Sequence, residues 1–391
     1  MSSIHIWIPD LFSFTGGIQA FSRYLINAVQ NGPLASPVRG IIKSDMPSDI
    51  PDDPATKNFS GCGHWPARLR SPRFAMECLR HVWRERPNLI VSTHLNFGPI
   101  ARIAQSSFGT PYVLVAHGVD AWEIKSSSRI EALRKANLVL SVSRYTRDRL
   151  IQEAGLDAHR VKILPNTYDP DMFAITPKPP RLLQKYGLQP ETPVILTVGR
   201  LADDERYKGY DQIIKALPEI RRAVPDARYL LIGKGSDRPR IERLIAEVGV
   251  QDAVILAGFV RDEELAEHYN LCDIFAMPSM GEGFGIVYLE ALACGKPVLA
   301  GNKDGSRDAV ADGELGLLVD PENNPEIAAE IIRVLRREHS HPILFNPETL
   351  RQRVIELFGF ETFTNTVADL LRPFLDRRPP QIEGELAAEH R

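Results

Sequence analysis

MPSMGEGFGIVYLEALACGKPVLA, Met277 to Ala300, reads as one strand–helix–strand unit. The run IFAMPS is a buried strand, and Gly281 to Gly285 form its exit loop. IVYLEALACG follows at helical spacing and stops at Gly295 ahead of Lys296-Pro297, where the apolar run PVLAG opens the next strand. A strand that returns through a helix to another strand is the unit of a parallel sheet, so the stretch predicts a doubly wound α/β fold. It also poses a chemical problem. Glu282 sits in the exit loop, and Glu290 lies near the second turn of an otherwise apolar helix. Carboxylates placed there need partners, and the paired hydroxyls of a ribose offer two donors to one carboxylate. Gly283 and Gly285 remove side chains where a ligand would meet backbone, and the helix N-terminus adds positive potential for a phosphate. A helix-capping glutamate together with a buried salt bridge is the competing account of the same residues.

The unit recurs along the chain. IHIWIP, LIVSTH, YVLVAH, LVLSVS and VKILP precede a proline-crowded stretch between Pro165 and Pro193; VILTVG, YLLIG, VILAGF, IFAMP and PVLAG follow it. Two doubly wound, Rossmann-like domains over 1–170 and 171–375 are expected, with 376–391 a disordered tail. At 391 residues, 43% hydrophobic and 25% charged, the chain has material for two cores. No run approaches the roughly 20 apolar residues of a membrane span, and the start MSSIHIWIPD lacks a signal peptide's charged and apolar regions, so a cytoplasmic location is expected. Cys62, Cys78, Cys272 and Cys294 show neither metal-ligand spacing nor the density of a disulfide framework; they read as reduced packing residues.

Charge is uneven. Residues 1–170 carry 20 Lys+Arg against 14 Asp+Glu, or +6, while the remainder carries 27 against 36, or −9. Arginine concentrates in PARLRSPRFAMECLRHVWRERP, where Phe74, Ala75, Cys78, Leu79, Val82 and Trp83 fall at helical spacing and Arg80, Arg84 and Arg86 lie off that stripe. Two readings stay open: a packed helix with a solvated basic face, or a surface for an anionic bilayer or lipid-linked phosphate, with no nucleic acid involved.

Ligands of open parallel sheets bind beyond the carboxyl ends of the strands, so the loops there hold the candidate site. After IHIWIP, Gly16-Gly17 open a helix, either to let backbone N–H groups approach an anion or merely to turn the chain. After YVLVAH stand His117, Gly118 and Asp120; the histidine is either a hydrogen-bonded structural residue or a catalyst. After VILTVG come Arg200 and, past LADDERY, Lys208. These two cations suit a diphosphate, unless Arg200 is tied to Asp203, Asp204 or Glu205.

GEGFGIVYLEALACGKPV resembles the hallmark of the family-4 retaining glycosyltransferases of the GT-B fold, a glutamate pair separated by seven residues. VGRLADDERYKGYD, LIGKGS, LAGFV and NKDGSRDAV are similar to that family's other cleft segments, in the same order. The resemblance implies a GT-B architecture, two Rossmann-like domains facing a central cleft, the first binding acceptor and the second the nucleotide-sugar donor, with the final helix returning to the first. It implies that Glu290 holds the donor ribose and that Glu282 orients the transferred sugar beside backbone groups of Gly283, Phe284 and Gly285. Arg200 and Lys208 would neutralise the departing diphosphate, Gly16 and Gly17 would form the facing loop, His117 would contact the sugar near the reacting carbon, and Gly235 and Val260 would frame the base. Two departures stand out: the Arg-to-Lys interval is long, and DGSRD replaces a Gly-Gly-x-x-Glu element, leaving Ser306 and Asp308 without a role.

These features are similar to bacterial exopolysaccharide transferases, including mannosyltransferases that act on polyprenyl-diphosphate oligosaccharides. The resemblance thus implies retaining transfer of mannose or glucose from GDP-mannose or UDP-glucose, without cofactor or metal, on the inner face of the plasma membrane or in the cytoplasm. Asp203 to Glu205 then read as solvated loop charge, not as metal ligands. A sugar-nucleotide epimerase, a phosphorylase or a noncatalytic binder on the same scaffold is the alternative. A dinucleotide oxidoreductase is disfavoured, since Arg238 fills the third glycine position after Gly233 and Gly235.

Overall fold

The structure, a computed structural model, describes residues 3–376. The tail expected from residue 376 lies outside them except for Asp376, which caps the last helix. β1 (Ile4–Ile8), β2 (Val38–Ile42), β3 (Ser60–Gly61), β4 (Leu89–Ser92), β5 (Tyr112–Ala116), β6 (Leu138–Ser141) and β7 (Val161–Ile163) form one sheet in the order β3-β2-β1-β4-β5-β6-β7. β8 (Val194–Val198), β9 (Arg228–Ile232), β10 (Val254–Gly258), β11 (Ile274–Met277), β12 (Val298–Gly301) and β13 (Leu317–Val319) form the other, in the order β10-β9-β8-β11-β12-β13. Pairing is parallel in both. These are the two Rossmann-like domains of a GT-B architecture, facing a cleft.

The ten apolar runs are strands because a parallel sheet covered by helices on both faces needs apolar residues at every position, not at alternate ones. In β1 all five residues are buried. The pattern missed β2, β3 and β13 for local reasons. Arg39 and Gly40 interrupt VRGII, where a Cβ at Gly40 would sit 2.7 Å from the Phe59 ring, and the other two strands have only two and three residues.

Strand order reverses between β1 and β4 in one sheet and between β8 and β11 in the other. Neighbouring connections diverge there and leave a crevice at the strands' carboxyl ends. The loops after β1, β8 and β11 carry Gly16-Gly17, Arg200 with Lys208, and Glu282. Helix Phe360–Leu375 lies on helix Gly17–Asn31, with Phe363 edge-on to Phe21 at 5.9 Å, while Phe358 meets Phe284 at 5.7 Å. One hydrophobic core therefore runs through both domains. Thr167 of the linker donates to the Phe358 carbonyl at 2.7 Å, tying linker to return segment.

All four cysteines are buried and free, in keeping with packing residues. Helix Ala67–Glu85 buries Phe74, Cys78 and Val82, but Trp83, expected on that stripe, is 58% exposed. Residues four apart trace one line along a helix, and position 83 stands about 100° away from Val82 on it. No helix among the described residues is long and apolar enough to cross a membrane.

Candidate active site

Glu282 is placed by a network that starts outside its own loop. Asp304, 1% exposed, accepts from the Glu282 backbone N–H at 2.7 Å, the Ser279 hydroxyl at 2.8 Å and the Ser306 backbone N–H at 3.0 Å. Gly305 N–H donates to the Glu282 carbonyl at 2.9 Å, so the loops after β11 and β12 hold each other. Burial raises the Asp304 pKa, and these donors only partly oppose it. Sequence reasoning missed Asp304, although Asp-Gly-Ser after an apolar run is a side-chain turn signal. Ser306 thus serves Asp304. Asp308 does not face the Glu282 carboxylate at all: it takes the Arg144 backbone N–H at 3.0 Å and pairs with the Arg144 guanidinium, which also reaches Asp312 at 2.6 Å. Arg144 belongs to the first domain, so this cluster bridges the two.

Lys208 Nζ lies 3.0 Å from Glu282 Oε2 and 3.6 Å from Glu205 Oε2, and Arg200 pairs with Glu205 Oε1. Burial disfavours the Lys208 charge, yet Glu282, then Tyr207 and Glu205, outweigh it and hold the ammonium above the ordinary lysine range. Asp203 and Asp204 are exposed, as solvated loop charge should be, but Glu205 is 6% exposed. The expectation fails there because the insert folds back into a 3-10 turn, Arg206–Lys208, that tucks Glu205 beneath it.

Glu290 is half-buried in helix Ile286–Ala293 and accepts from the Tyr269 hydroxyl at 2.6 Å. Burial pushes its carboxyl up to about 7, against the pull of that hydroxyl. Tyr24, from the opposite domain, has its hydroxyl held above the ordinary range by burial and then by the charge of Glu290. If Glu290 receives two ribose hydroxyls, its ionised form binds best and binding releases a proton. Nucleoside affinity should then rise as pH climbs toward about 7 and level off above it, by up to about tenfold per pH unit on the rising limb. Calorimetry in buffers of different ionisation enthalpy reads the proton release, and Glu290→Gln should flatten the profile. A flat wild-type profile would remove the ribose contact.

His117 uses its two ring nitrogens differently. Nε2–H donates to the Thr93 carbonyl at 3.0 Å, which assigns the tautomer because a carbonyl only accepts. Burial lowers its pKa to about 4, so the ring is neutral at pH 7 with a lone pair on Nδ1, which has no hydrogen bond among the described residues. Phe21 meets the ring edge-on at 4.9 Å, and the His117 backbone N–H donates to Asp120 at 3.0 Å. The structural and ligand-facing accounts of His117 therefore engage different atoms.

The glycines divide in the same way. A Cβ on Gly283 would lie 1.8 Å from the His117 carbonyl oxygen; Gly118, at φ 133°, faces it with a Cβ position 2.6 Å from Gly283 Cα. Two backbones touch across the cleft, and neither tolerates a side chain. Gly285, at φ 88°, starts the helix. Gly16 is extended, with Gln19 beside it, whereas among the described residues nothing beyond its chain neighbours and its own helix backbone lies within 4 Å of the Cβ position of Gly17. A Cβ on Gly235 would lie 2.1 Å from the Leu201 carbonyl oxygen, Val260 is 6% exposed in the core, and the Phe284 ring is buried on Phe358. These last three can meet a ligand only through backbone. Lys234 stands 4.5 Å over the Phe259 ring beside them, a pair that no sequence pattern announced. No group of three or more His, Cys, Asp or Glu among the described residues is placed to hold a metal ion.

Two cations, two carboxylates and a neutral histidine thus converge at facing strand ends, and comparison with known proteins gives this arrangement its family. Residues 180–351 match the family described as Glycosyl transferases group 1, and residues 50–172 match Glycosyltransferase Family 4. A GDP-mannose-dependent alpha-(1-6)-phosphatidylinositol monomannoside mannosyltransferase of Mycobacterium tuberculosis is 34% identical over 287 residues, which cover 70% of this chain and 72% of that one. The chain belongs to the group 1 glycosyltransferases. A protein of the same name from Mycolicibacterium smegmatis is 38% identical to this glycosyltransferase over 236 residues, 57% of this chain and 59% of that relative's length. A 2-deoxystreptamine glucosyltransferase of Streptomyces kanamyceticus is 28% identical across 72% of this chain and 76% of its own. Among solved structures, Anabaena Alr3699/HepE in complex with UDP matches with a TM-score of 0.79 at 21% identity, over 95% of this glycosyltransferase and 100% of that chain, which is a likeness of GT-B fold.

Proposed function

We propose that this glycosyltransferase moves a hexose from a nucleoside diphosphate sugar to a saccharide or lipid-linked saccharide, with retention of configuration. The observation that carries the proposal is the 3.0 Å approach of Lys208 to Glu282 with Arg200 alongside, at the mouth of helix Ile286–Ala293. Breaking the sugar–phosphate bond leaves charge on the diphosphate, which fixed cations and a helix N-terminus stabilise in the transition state. The acceptor hydroxyl oxygen bonds to the same carbon from the same face, and its proton passes to the departing phosphate oxygen. Glu282 holds the sugar, Glu290 the ribose, and His117 Nδ1 accepts from a sugar hydroxyl. Residues 1–170 present the acceptor and 171–375 the donor.

GDP-mannose is the preferred donor, supported by the two mannosyltransferase relatives; UDP-glucose, supported by the glucosyltransferase relative, comes second. Thermal shift against a panel of nucleotide sugars tests donor choice, since a ligand at about 100 times its Kd adds about 2.7 kcal/mol. Donor consumption that needs acceptor, with the product anomer read by NMR, tests the reaction. Consumption without acceptor would favour an epimerase, and an inverted product would end the retaining mechanism.

The first domain supports work at an anionic membrane surface on the cytoplasmic side. Leu69, Met76 and Trp83 are exposed seven residues apart on helix Ala67–Glu85, with Arg68 and Arg84 exposed beside them. Arg80 is held by Glu77 at 2.7 Å and Arg86 lies 5.2 Å over the Phe108 ring, so these two contribute less. Each free cation near such a surface adds about 1 kcal/mol. The protein is expected to float with anionic vesicles at low salt and Trp83→Ser/Arg84→Glu to stay behind; a wild type that ignores vesicles at every salt concentration would refute this.

A further inference from the structure

The long segment between Arg200 and Lys208 contains a carboxylate, Glu205, to which the transfer proposed above gives no role. The segment is well anchored. Asp203 N–H donates to the Ser236 hydroxyl at 3.3 Å, and Met280 N–H donates to the Tyr207 carbonyl at 2.9 Å, clamping it between the loops after β9 and β11. Within it Glu205 is buried, with Oε1 on Arg200 and Oε2 3.6 Å from Lys208. Among the described residues, Oε2 has no hydrogen-bond partner. Burying a carboxylate oxygen without a hydrogen bond is costly even beside an ammonium at 3.6 Å, and a shorter loop would avoid it. Counting charges, Arg200 and Lys208 are balanced by Glu205 and Glu282, so the cluster is neutral before any donor arrives. The two cations are not equally held. The Lys208 side chain is 13% exposed and bound to Glu282, whereas that of Arg200 is 60% exposed and, among the described residues, bound to Glu205 alone.

We infer that Glu205 is an internal counter-anion of the diphosphate site: it keeps Arg200 and Lys208 converged in the empty cleft and yields Arg200 to the incoming diphosphate. The inference rests on the diphosphate role proposed for those cations. Its consequence is a weaker grip on the nucleoside diphosphate product, because Glu205 reclaims Arg200 as the product leaves. In many enzymes product release limits turnover, so a neutral site trades affinity for rate. Glu205 is thus a positioning residue that acts through Arg200 and Lys208, without touching the sugar.

Glu205→Gln keeps size and an oxygen for Arg200 while removing the charge; Glu205→Asp keeps the charge, and Glu205→Ala is a second neutral variant. Calorimetry with GDP and UDP, and with guanosine and uridine as phosphate-free controls, separates the possibilities. The neutral variants should bind the preferred nucleoside diphosphate about tenfold tighter at low salt, lose much of that gain at high salt, and leave nucleoside affinity unchanged. Donor KM and kcat should fall together, whereas a damaged fold would lower kcat and raise KM, and Glu205→Asp should stay near wild type. Unchanged or weaker diphosphate binding, or a gain that the nucleoside shares, would overturn the role of Glu205 while leaving the transferase reading intact. A wild type that binds neither GDP nor UDP would overturn both.

Discussion

Gly283→Ala is expected to cut sugar transfer about 100-fold or more, the usual result of misplacing reacting groups by about 1 Å, with both domains folded and nucleoside binding retained. The new Cβ would sit 1.8 Å from the His117 carbonyl oxygen, 2.8 Å from its carbon and 2.9 Å from Gly118 Cα. All three are backbone atoms of the opposite domain, and neither side is free to give. His117 is held by Asp120 and Thr93, and the Gly283 loop is held by Asp304. Separation must therefore be taken up by opening the cleft, which draws His117 away from Glu282. Glu290 and Tyr269 lie within one domain and should keep their nucleoside affinity. Melting temperature, nucleoside calorimetry and steady-state transfer on one preparation decide the matter. Near-wild-type transfer would mean that the reactive state does not need this backbone contact.

Lys208→Met should be nearly as severe. Methionine keeps the length and loses the charge, removing the less exposed of the two cations expected to meet the diphosphate. Loss of a preorganised group that stabilises developing charge lowers rates by about 10²- to 10³-fold, so donor kcat/KM should fall in that range. A second effect follows from the pairing: Glu282 would be left without its 3.0 Å partner and with Glu205 nearby. Lys208→Met/Glu282→Gln should thus be more stable than Lys208→Met alone, although no more active, because the double change removes the unpaired carboxylate. A single variant losing less than about tenfold would place the leaving-group charge elsewhere.

The alternation of strand and helix, and the end of each strand at which function would gather, were legible in the residue order. They show there because a parallel strand buried on both faces must be apolar throughout, and because residues such as Gly295 stop helices by their own backbone preference. That order also brought forward Glu282 and Glu290 as carboxylates beside an apolar helix, and Arg200, Lys208 and His117 as charged or titratable residues just beyond strand ends. Their partners emerge from folding alone. Lys208 meets Glu282 across 74 residues of chain, and Arg144 meets Asp308 across 164. Gly283 is a glycine because of the His117–Gly118 backbone in the other domain, a contact no glycine spacing encodes. Asp203, Asp204 and Glu205 read alike in one acidic run, yet the turn that follows exposes two and buries the third beneath the cations. Trp83 stands outside its expected stripe for a related reason, since which line of a helix is buried depends on what packs against it. Periodicity records how each segment meets its core, a local property of every residue; which two side chains share a charge is set by strand order and by the approach of two domains, and no short stretch of chain contains either.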